Sequence, residues 1–471
     1  MKSKIQTIHF VGIGGSGMSG IAEVLLTQGF DIQGSDIEES SATKRLKSLG
    51  AVIFFEHSDK NIFGADVCVV SSAIQTNNPE LVAARRAKIP VVPRALMLAE
   101  LMRFKKGVAI AGSHGKTTTT SLVASLLASS NLDPTYVIGG RLSGAGLGAR
   151  LGQGEFLVAE ADESDGSFLN LSPTIAAVTN IDHDHLDYYD HDFARLKQAF
   201  IDFIHRLPFY SSVVLCSDDP NIREIIPFIS RPIVTVGFGK DVDIRATNVK
   251  NKGVSVSFTV EQKNFEEFLV ELPLPGLHNI LNSLVAIGIA RELEIDVSVI
   301  QKSLENFSGV DRRFQYYGEI CAPNNKKFSL IDDYGHHPTE IKATINACKA
   351  SFPERRLILV FQPHRFSRTR DLFEDFVKVL IDVDILILLN VYPAGEDPIP
   401  SADSKALSRT IRLSGRLDPI FSENFEETIN IIFSTIKNND VVLVMGAGSI
   451  GELSKNLVTK CDNFGREGTN G

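Results

Sequence analysis

A chain of 471 residues, 43% of them hydrophobic and with a net charge of −9 at pH 7, holds enough apolar material for two to four cored domains and lacks the basic surplus with which nucleic-acid partners neutralise phosphates. Its five cysteines, Cys68, Cys216, Cys321, Cys348 and Cys461, are scattered without a CxxC pair, so neither a disulfide framework nor a zinc knot is indicated, and a reducing cytoplasm is the expected compartment. No apolar run reaches the ~20 residues that cross a bilayer, so no membrane embedding is expected; the stretch after Lys2 and Lys4 is glycine-rich and carries Glu23, unlike a signal peptide.

Along the chain, β-type runs alternate with amphipathic helical stretches, the pattern of parallel sheets covered on both faces by helices. Ile5 to Val11 reads as a strand, Met18 to Gln28 as a helix closed by Gly29, and Phe30 to Ser35 as the next strand, ending at Asp36. Val67 to Ser71 is a further strand running into Ser72-Ala73-Ile74. The basic segment Arg103-Phe104-Lys105-Lys106-Gly107 predicts a boundary, giving a first domain of 1–106. A second domain, 107–310, carries strands at Val108 to Ala111, Phe156 to Ala159, Ile175 to Asn180 and Val213 to Cys216. An alternating region from Val242 to Leu272 predicts antiparallel pairing, and a helix begins near Asn279. Ser308-Gly309-Val310-Asp311 marks the second boundary. The third domain, 311–471, has strands at Phe328 to Ile331, Leu357 to Phe361, Ile385 to Leu389 and Val441 to Met445, and a polar tail after Lys460 that reads as loose. The expected fold class is α/β in three domains: an N-terminal Rossmann-like domain, a central P-loop domain with a mixed sheet, and a C-terminal Rossmann-like domain.

Two glycine loops carry the chemistry. Gly12-Ile13-Gly14-Gly15-Ser16-Gly17 fits GxGxxG, and Asp36 lies about twenty residues on, where a Rossmann unit places an acid on ribose hydroxyls. Alone this indicates NAD or, blandly, an unliganded turn; because nothing downstream supplies a hydride-transfer site, a nucleoside diphosphate is the preferred ligand. The second loop, Ala111-Gly112-Ser113-His114-Gly115-Lys116-Thr117-Thr118, has Ile110 where GxxxxGK[ST] requires glycine. Its parts still suit ATP: backbone N–H groups cradle phosphates, Lys116 neutralises β/γ oxygens and the Thr117 hydroxyl can hold Mg²⁺. A structural glycine turn is the alternative. Two phosphate devices in series imply two phosphorylated ligands. Metal-binding acids are offered by Glu160-Ala161-Asp162-Glu163-Ser164-Asp165 and Asp182-His183-Asp184-His185-Leu186-Asp187, each just past a strand. Donor softness alone favours the aspartates over the histidines for Mg²⁺.

In chain order, Gly112-x-x-Gly115-Lys116-Thr117-Thr118, Glu160, Asn180-x-x-x-Asp184-His185-x-Asp187, His278-Asn279-x-x-Asn282, Arg313-Phe314 and Asp333-Tyr334-x-His336-x-Pro338 resemble the Mur ligase family across the whole chain. The opening His9-Phe10-Val11-Gly12-Ile13-Gly14-Gly15-Ser16-Gly17-Met18, the Ser113-His114 variant of the loop, Asp332 to Glu340 and Phe361-Gln362-Pro363-His364-Arg365 resemble the branch that acts on UDP-N-acetylmuramate. The resemblance implies an ATP-dependent amide ligase of peptidoglycan precursor synthesis. ATP phosphorylates the lactyl carboxylate of UDP-N-acetylmuramate, the amine of L-alanine attacks the acyl phosphate, and ADP and phosphate leave. Murein tripeptide in place of L-alanine is the alternative, and an NAD-dependent dehydrogenase a more distant one.

Site roles follow by the same resemblance. Gly14, Gly15, Ser16, Gly17, Asp36, Ser71, Ser72 and His114 would bind the UDP sugar. Gly112, Ser113, His114, Gly115, Lys116, Thr117 and Thr118 would bind ATP, with Asn279 and Asn282 at the adenine and Arg313 and Asp333 brought in as the third domain closes. Lys116, His185, Arg313 and Asp333 would be catalytic; Thr117, Glu160 and His185 would hold Mg²⁺, with Glu163 as the alternative to Glu160. His336, His364, Arg365 and Arg368 would receive the amino acid. Taken alone, Asn279 and Asn282 read as helix caps, and the last four as surface groups beside the strand ending at Phe361. Other members carry a carbamoylated lysine past the metal histidine; here that neighbourhood is Lys197-Gln198-Ala199-Phe200, so no carbamate is expected, and His183 is a second departure.

Overall fold

The computed structural model describes residues 4–71, 73–139, 148–323 and 325–467. Among them the strands form three sheets of five, ten and six members. The first contains β1 (Thr7–Val11), β2 (Asp31–Ser35), β3 (Val52–Phe54), β4 (Val67–Val70) and β5 (Val91–Pro93) in the order β3-β2-β1-β4-β5. Every pairing in it is parallel. Parallel neighbours require helical crossovers, and the central strands are buried: Ile8, Phe10 and Val11 of β1 and Cys68 and Val69 of β4 are fully buried, while β2 carries the polar Asp31, Gln33 and Ser35.

The second sheet contains β6 (Lys106–Ala111), β7 (Thr135–Val137), β8 (Ala149–Arg150), β9 (Phe156–Glu160), β10 (Ile175–Val178), β11 (Val213–Cys216), β12 (Ile233–Gly237), β13 (Ile244–Lys252), β14 (Ser255–Gln262) and β15 (Phe268–Leu272). Their order is β15-β14-β13-β12-β11-β10-β6-β9-β7-β8. Strands β7, β9, β6, β10, β11, β12 and β13 pair in parallel, and β8 closes one edge antiparallel to β7. Neighbours β13 and β14 are linked only by Gly253 and Val254, with Gly253 at φ +64°. So short a link can only join antiparallel strands, which makes the sheet mixed.

The third sheet contains β16 (Gln315–Cys321), β17 (Lys327–Asp333), β18 (Leu357–Phe361), β19 (Ile385–Leu389), β20 (Ile420–Ser422) and β21 (Asp440–Met445), in the order β16-β17-β21-β18-β19-β20. Only β16 is antiparallel. The two-residue period of a strand sorts its side chains: Ile331, Leu359, Phe361 and Leu443 enter the core on one face, and Leu330, Ile358, Val360 and Val442 that on the other.

Contacts group the chain into two units, one of 1–248, 258–270 and 281–310 and the other of 249–257, 271–280 and 311–471. Several expectations shift. Lys106 and Gly107, read as a linker, belong to β6. The strand expected to reach Asn180 stops at Val178, freeing Thr179 and Asn180 for side-chain contacts. The tail read as loose is helical through Glu467, in the helix Gly451–Glu467. No helix among the described residues is long and apolar enough to cross a membrane.

Candidate active site

Both glycine loops stand where strand order reverses, the crevice in which open α/β sheets take ligands. In the first sheet β1 lies between β2 and β4, and the chain leaves it through the glycines into the helix Ser16–Thr27. Gly12 has φ +79°. Gly14 N donates to Asp36 Oδ2 at 2.7 Å, and a Cβ on Gly14 would stand 2.8 Å from that same oxygen, so glycine is needed there because Asp36 lies against it. Ser71, just past β4, approaches the same loop: its Cβ lies 3.8 Å from where a side chain on Gly12 would begin. Gly17 makes room for Arg94, whose Nη2 meets Asp162 Oδ2 at 3.4 Å. Ser72 lies outside the described residues, as does the side chain of Ser16.

In the second sheet β6 lies between β10 and β9. Its C-terminal end turns through Gly112 (φ +132°) and Gly115 (φ +80°) into the helix Lys116–Ser129. The segment after β10 braces this turn. Asn180 Oδ1 accepts His114 N at 2.8 Å, and the His114 carbonyl accepts Asn180 Nδ2 at 2.9 Å and Thr179 Oγ1 at 2.6 Å. Ser113 Oγ accepts Asp182 N at 2.8 Å, and His114 Nε2 lies 3.0 Å from Asp182 Oδ2. Thr117 and Thr118 are buried in the first helical turn. The turn is therefore braced by hydrogen bonds, and the N–H groups at the start of the helix Lys116–Ser129 are placed to suit an anion.

Lys116 folds back over the loop, donating to Gly112 O at 2.6 Å, Ser113 O at 3.1 Å and Glu163 Oε2 at 2.7 Å. Burial alone would depress its pKa, but Glu163, Asp162 and Glu160 hold it above the ordinary value. The other Glu163 oxygen lies 3.3 Å from His185 Nδ1, and Tyr189 Oη donates to the Glu163 carbonyl at 2.6 Å. Glu160, the last residue of β9, accepts Gly139 N at 2.8 Å. Of the two glutamates it is therefore Glu163 that joins Lys116 to His185. His185 sits at φ +57°. The oxygen donors Thr117, Glu160 and Glu163 match what a hard divalent cation requires, and His185 is the softer member. Asn282 Oδ1 stands 2.4 Å from where a Cβ on Gly115 would lie, bringing that asparagine against the loop.

In the second unit, Asn279 Nδ2 donates to Pro275 O at 2.8 Å, in the first turn of the helix Leu277–Glu292. Asp333 is buried and accepts Phe314 N at 2.8 Å and Gly335 N at 2.7 Å, and burial raises its pKa above the ordinary carboxylate value. Arg313 lies 3.8 Å from Glu340 and over the Tyr334 ring. The rings of His336 and His364 meet at 5.5 Å, and His364 stacks on Tyr392. Burial, reinforced by Arg368 and Arg365, pulls His364 down to about 4, so the ring is neutral at pH 7. Arg365, at φ +68°, precedes the short helix Phe366–Asp371, in which Arg368 is buried.

Asn180 and Glu340 had only a motif position to mark them, and Thr179, Arg94 and Tyr392 carried no signal of a site role in the sequence. Comparison with known proteins agrees with this architecture. Residues 7–106, 110–290 and 312–448 match, in turn, the Mur ligase family catalytic domain, the Mur ligase middle domain and the Mur ligase glutamate ligase domain. The chain is 57% identical over 98% of its length to the UDP-N-acetylmuramate–L-alanine ligase of Ralstonia nicotianae, covering 96% of it. It is 58% identical over 98% of its length to that of Cupriavidus necator, covering 97%. A crystal structure of UDP-N-acetylmuramate-alanine ligase from Thermotoga maritima superposes with a TM-score of 0.82 at 31% identity, covering 97% of this chain and 99% of that one. A murein peptide ligase from Psychrobacter arcticus shares the fold with a TM-score of 0.74 at 22% identity, covering 97% and 99%. With matches to all three of its domains and majority identity over nearly the full length, this chain belongs to the Mur ligase family.

Proposed function

We infer that this chain joins L-alanine to the lactyl carboxylate of UDP-N-acetylmuramate at the expense of ATP, the first amino-acid addition in peptidoglycan precursor synthesis. The observation that carries the reading is the 57% identity over 98% of the chain to a ligase so named. It accords with two braced anion-binding loops in one structural unit. A carboxylate is a poor electrophile until one oxygen becomes a leaving group; phosphorylation by ATP makes the acyl phosphate, which the alanine amine opens with loss of phosphate. Phosphoryl transfer needs alignment and charge neutralisation above all.

In this scheme Gly112, Ser113, Gly115, Lys116, Thr117 and Thr118 cradle the ATP phosphates, with Lys116 on the transferring γ-phosphate. Gly14 to Gly17, Asp36, Ser71, Ser72 and His114 take the UDP sugar, and Asn279 and Asn282 the adenine. Thr117, His185 and a glutamate, Glu160 or Glu163, would hold Mg²⁺, whose chemistry is to neutralise phosphate charge. Arg313 and Asp333 serve the ATP side, and His336, His364, Arg365 and Arg368 the alanine, whose carboxylate a guanidinium can fork onto. The three domains are assigned to 1–106 for the UDP sugar, 107–310 for ATP and 311–471 for the amino acid, in a cytoplasmic enzyme.

The test is phosphate release from ATP, Mg²⁺ and UDP-N-acetylmuramate with L-alanine, murein tripeptide or no amino donor. Release that depends on L-alanine supports the reading. Release with tripeptide alone transfers the chain to peptide recycling, and none in any mixture removes the ligase reading.

A further inference from the structure

A polar cluster lies beneath the glycine loop, and none of the roles above uses it. Its centre is Glu80, in the first turn of the helix Pro79–Arg86, fully buried together with His9 of β1 and Ser35 of β2. Ser35 Oγ donates to Oε2 at 2.6 Å and Asn61 Nδ2 to Oε1 at 2.6 Å. Ser58 N reaches Oε1 at 3.4 Å, and His9 Nε2 and His57 Nδ1 each lie 3.4 Å from Oε2. Burial alone would push this carboxyl up; the hydrogen bonds from His9, Ser35 and Asn61 reverse that and hold it below its ordinary value. A carboxylate taken from water into a core is rarely better for stability than an apolar side chain of the same volume, so core filling does not account for the cluster.

The contacts of Ser35 indicate what the cluster fixes. The Ser35 carbonyl accepts Gly12 N at 2.9 Å and Ile13 N at 3.0 Å. The next residue, Asp36, accepts Gly14 N at 2.7 Å. Three consecutive N–H groups of the glycine loop thus hang from the end of β2, and the Ser35 side chain that anchors this end is held by Glu80. His9 ties the same carboxylate to β1, the strand that delivers the loop. Hydrogen-bond donors aimed at a diphosphate lose value when their support is loose, because a fraction of an ångström decides the bond.

We propose that Glu80 is a positioning residue for the sugar-nucleotide site, fixing Ser35 and through it the glycine loop in the geometry that receives the diphosphate; this rests on the reading above that the loop binds the UDP sugar. The test uses the full chain with Glu80→Gln and Glu80→Asp, measuring KM for UDP-N-acetylmuramate, KM for ATP, kcat and thermal midpoint. Glu80→Gln keeps the volume but replaces one accepting oxygen by a donor facing donors. The expected result is a rise in the UDP-N-acetylmuramate KM of about tenfold, ATP KM and kcat within about twofold, and partial recovery in Glu80→Asp. An unchanged sugar-nucleotide KM, or equal drift of both KM values with a fallen midpoint, overturns the proposal. If Glu80→Gln does not fold, Ser35→Ala carries the same expectation and the same refutation. Gly14→Ala separates the two readings. If it leaves the UDP-N-acetylmuramate KM untouched, the loop is not the sugar-nucleotide site and the proposal falls with that reading; if it raises that KM while Glu80→Gln does not, the proposal alone falls.

Discussion

Gly112→Ala tests the second loop at its tightest point. Alanine at this position must adopt φ near +132°, and its methyl would stand 2.1 Å from Thr179 Oγ1 and 3.1 Å from the Asn180 backbone. The backbone strain costs about 1–3 kcal/mol for a residue with a Cβ. The clash can be relieved by displacing the Thr179 hydroxyl, which donates to His114 O at 2.6 Å and Ala111 O at 3.3 Å. Losing that interaction costs about 1 kcal/mol more, for roughly 2–4 kcal/mol in all. In a domain of about 200 residues each kcal/mol lowers Tm by ~2–4 °C, so a fall of roughly 4–16 °C is expected if the loop holds its shape. If the loop relaxes instead, the N–H groups at the start of the helix Lys116–Ser129 move, and the cost appears as an ATP KM raised about tenfold or more. Differential scanning and phosphate-release kinetics on one preparation read both, with UDP-N-acetylmuramate and L-alanine saturating. A Gly112→Ala protein with wild-type Tm and wild-type ATP KM would refute this account of the loop.

Gly17 has no positive φ to defend, so Gly17→Ala should leave Tm nearly unchanged while its methyl displaces Arg94 from Asp162 and raises the KM for UDP-N-acetylmuramate; a fall in Tm with an unaltered KM would contradict this. Lys116→Met should cut kcat by about 10³ with the fold intact by circular dichroism, since the γ-phosphate loses its cation; a loss under tenfold would remove Lys116 from the chemistry. Glu163→Gln and Glu160→Gln, compared by Mg²⁺ titration of activity, should separate the two carboxylates, the larger shift in Mg²⁺ requirement marking the metal ligand; equal, negligible shifts would exclude both. Asp332 is buried beside Arg312, and burial raises its carboxyl to about 6. Its folded pKa thus exceeds the ~3.9 of the unfolded chain, so the stability it contributes is complete below pH ~4 and is lost as pH rises through about 6, by up to roughly 3 kcal/mol. Denaturant midpoints at pH 4.5 and 7 should differ less in Asp332→Asn than in the wild type, and an equal difference would show that Asp332 is not the titrating group.

What the residues reveal in one dimension is whatever is local. Unbroken apolar runs such as Leu357–Phe361 and Val213–Cys216 announce their strands because a strand covered on both faces has no polar positions to blur the pattern. The three-residue β7 and the two-residue β8 have no periodicity to read, and the antiparallel β16 buries only Ile320, so its sequence lacks the apolar run or alternation that marks a strand. The loops and their acids are equally legible, yet Glu160 and Glu163 differ only by the turn after β9, closed by Gly166 N on Glu163 O, and that turn decides which one meets Lys116. Spacing alone gives Asn279 as a helix cap; the contact seen is a donation by its amide nitrogen to Pro275 O, and its place in a ligand site comes only from resemblance. Arg94 and Glu80 were invisible because their partners lie far along the chain, Asp162 for one and His9 for the other.

The contact between Lys116 and Glu163 at 2.7 Å makes the second loop a competitor of its own ligand. A phosphate oxygen that engages this ammonium does so against a fully buried carboxylate. A simple anion such as sulfate gains the lysine only by stranding the glutamate, which is costly in a desolvated place. A polyphosphate arriving with a divalent cation leaves no charge stranded, because the cation can take up the carboxylate as the phosphate takes up the lysine. Linkage then requires that whatever factor the cation adds to polyphosphate affinity through Glu163, the polyphosphate adds to cation affinity. Under the proposed assignment of ATP to this loop and Mg²⁺ to Glu163, selectivity for metal-loaded nucleotide over free phosphate would rest on this ion pair.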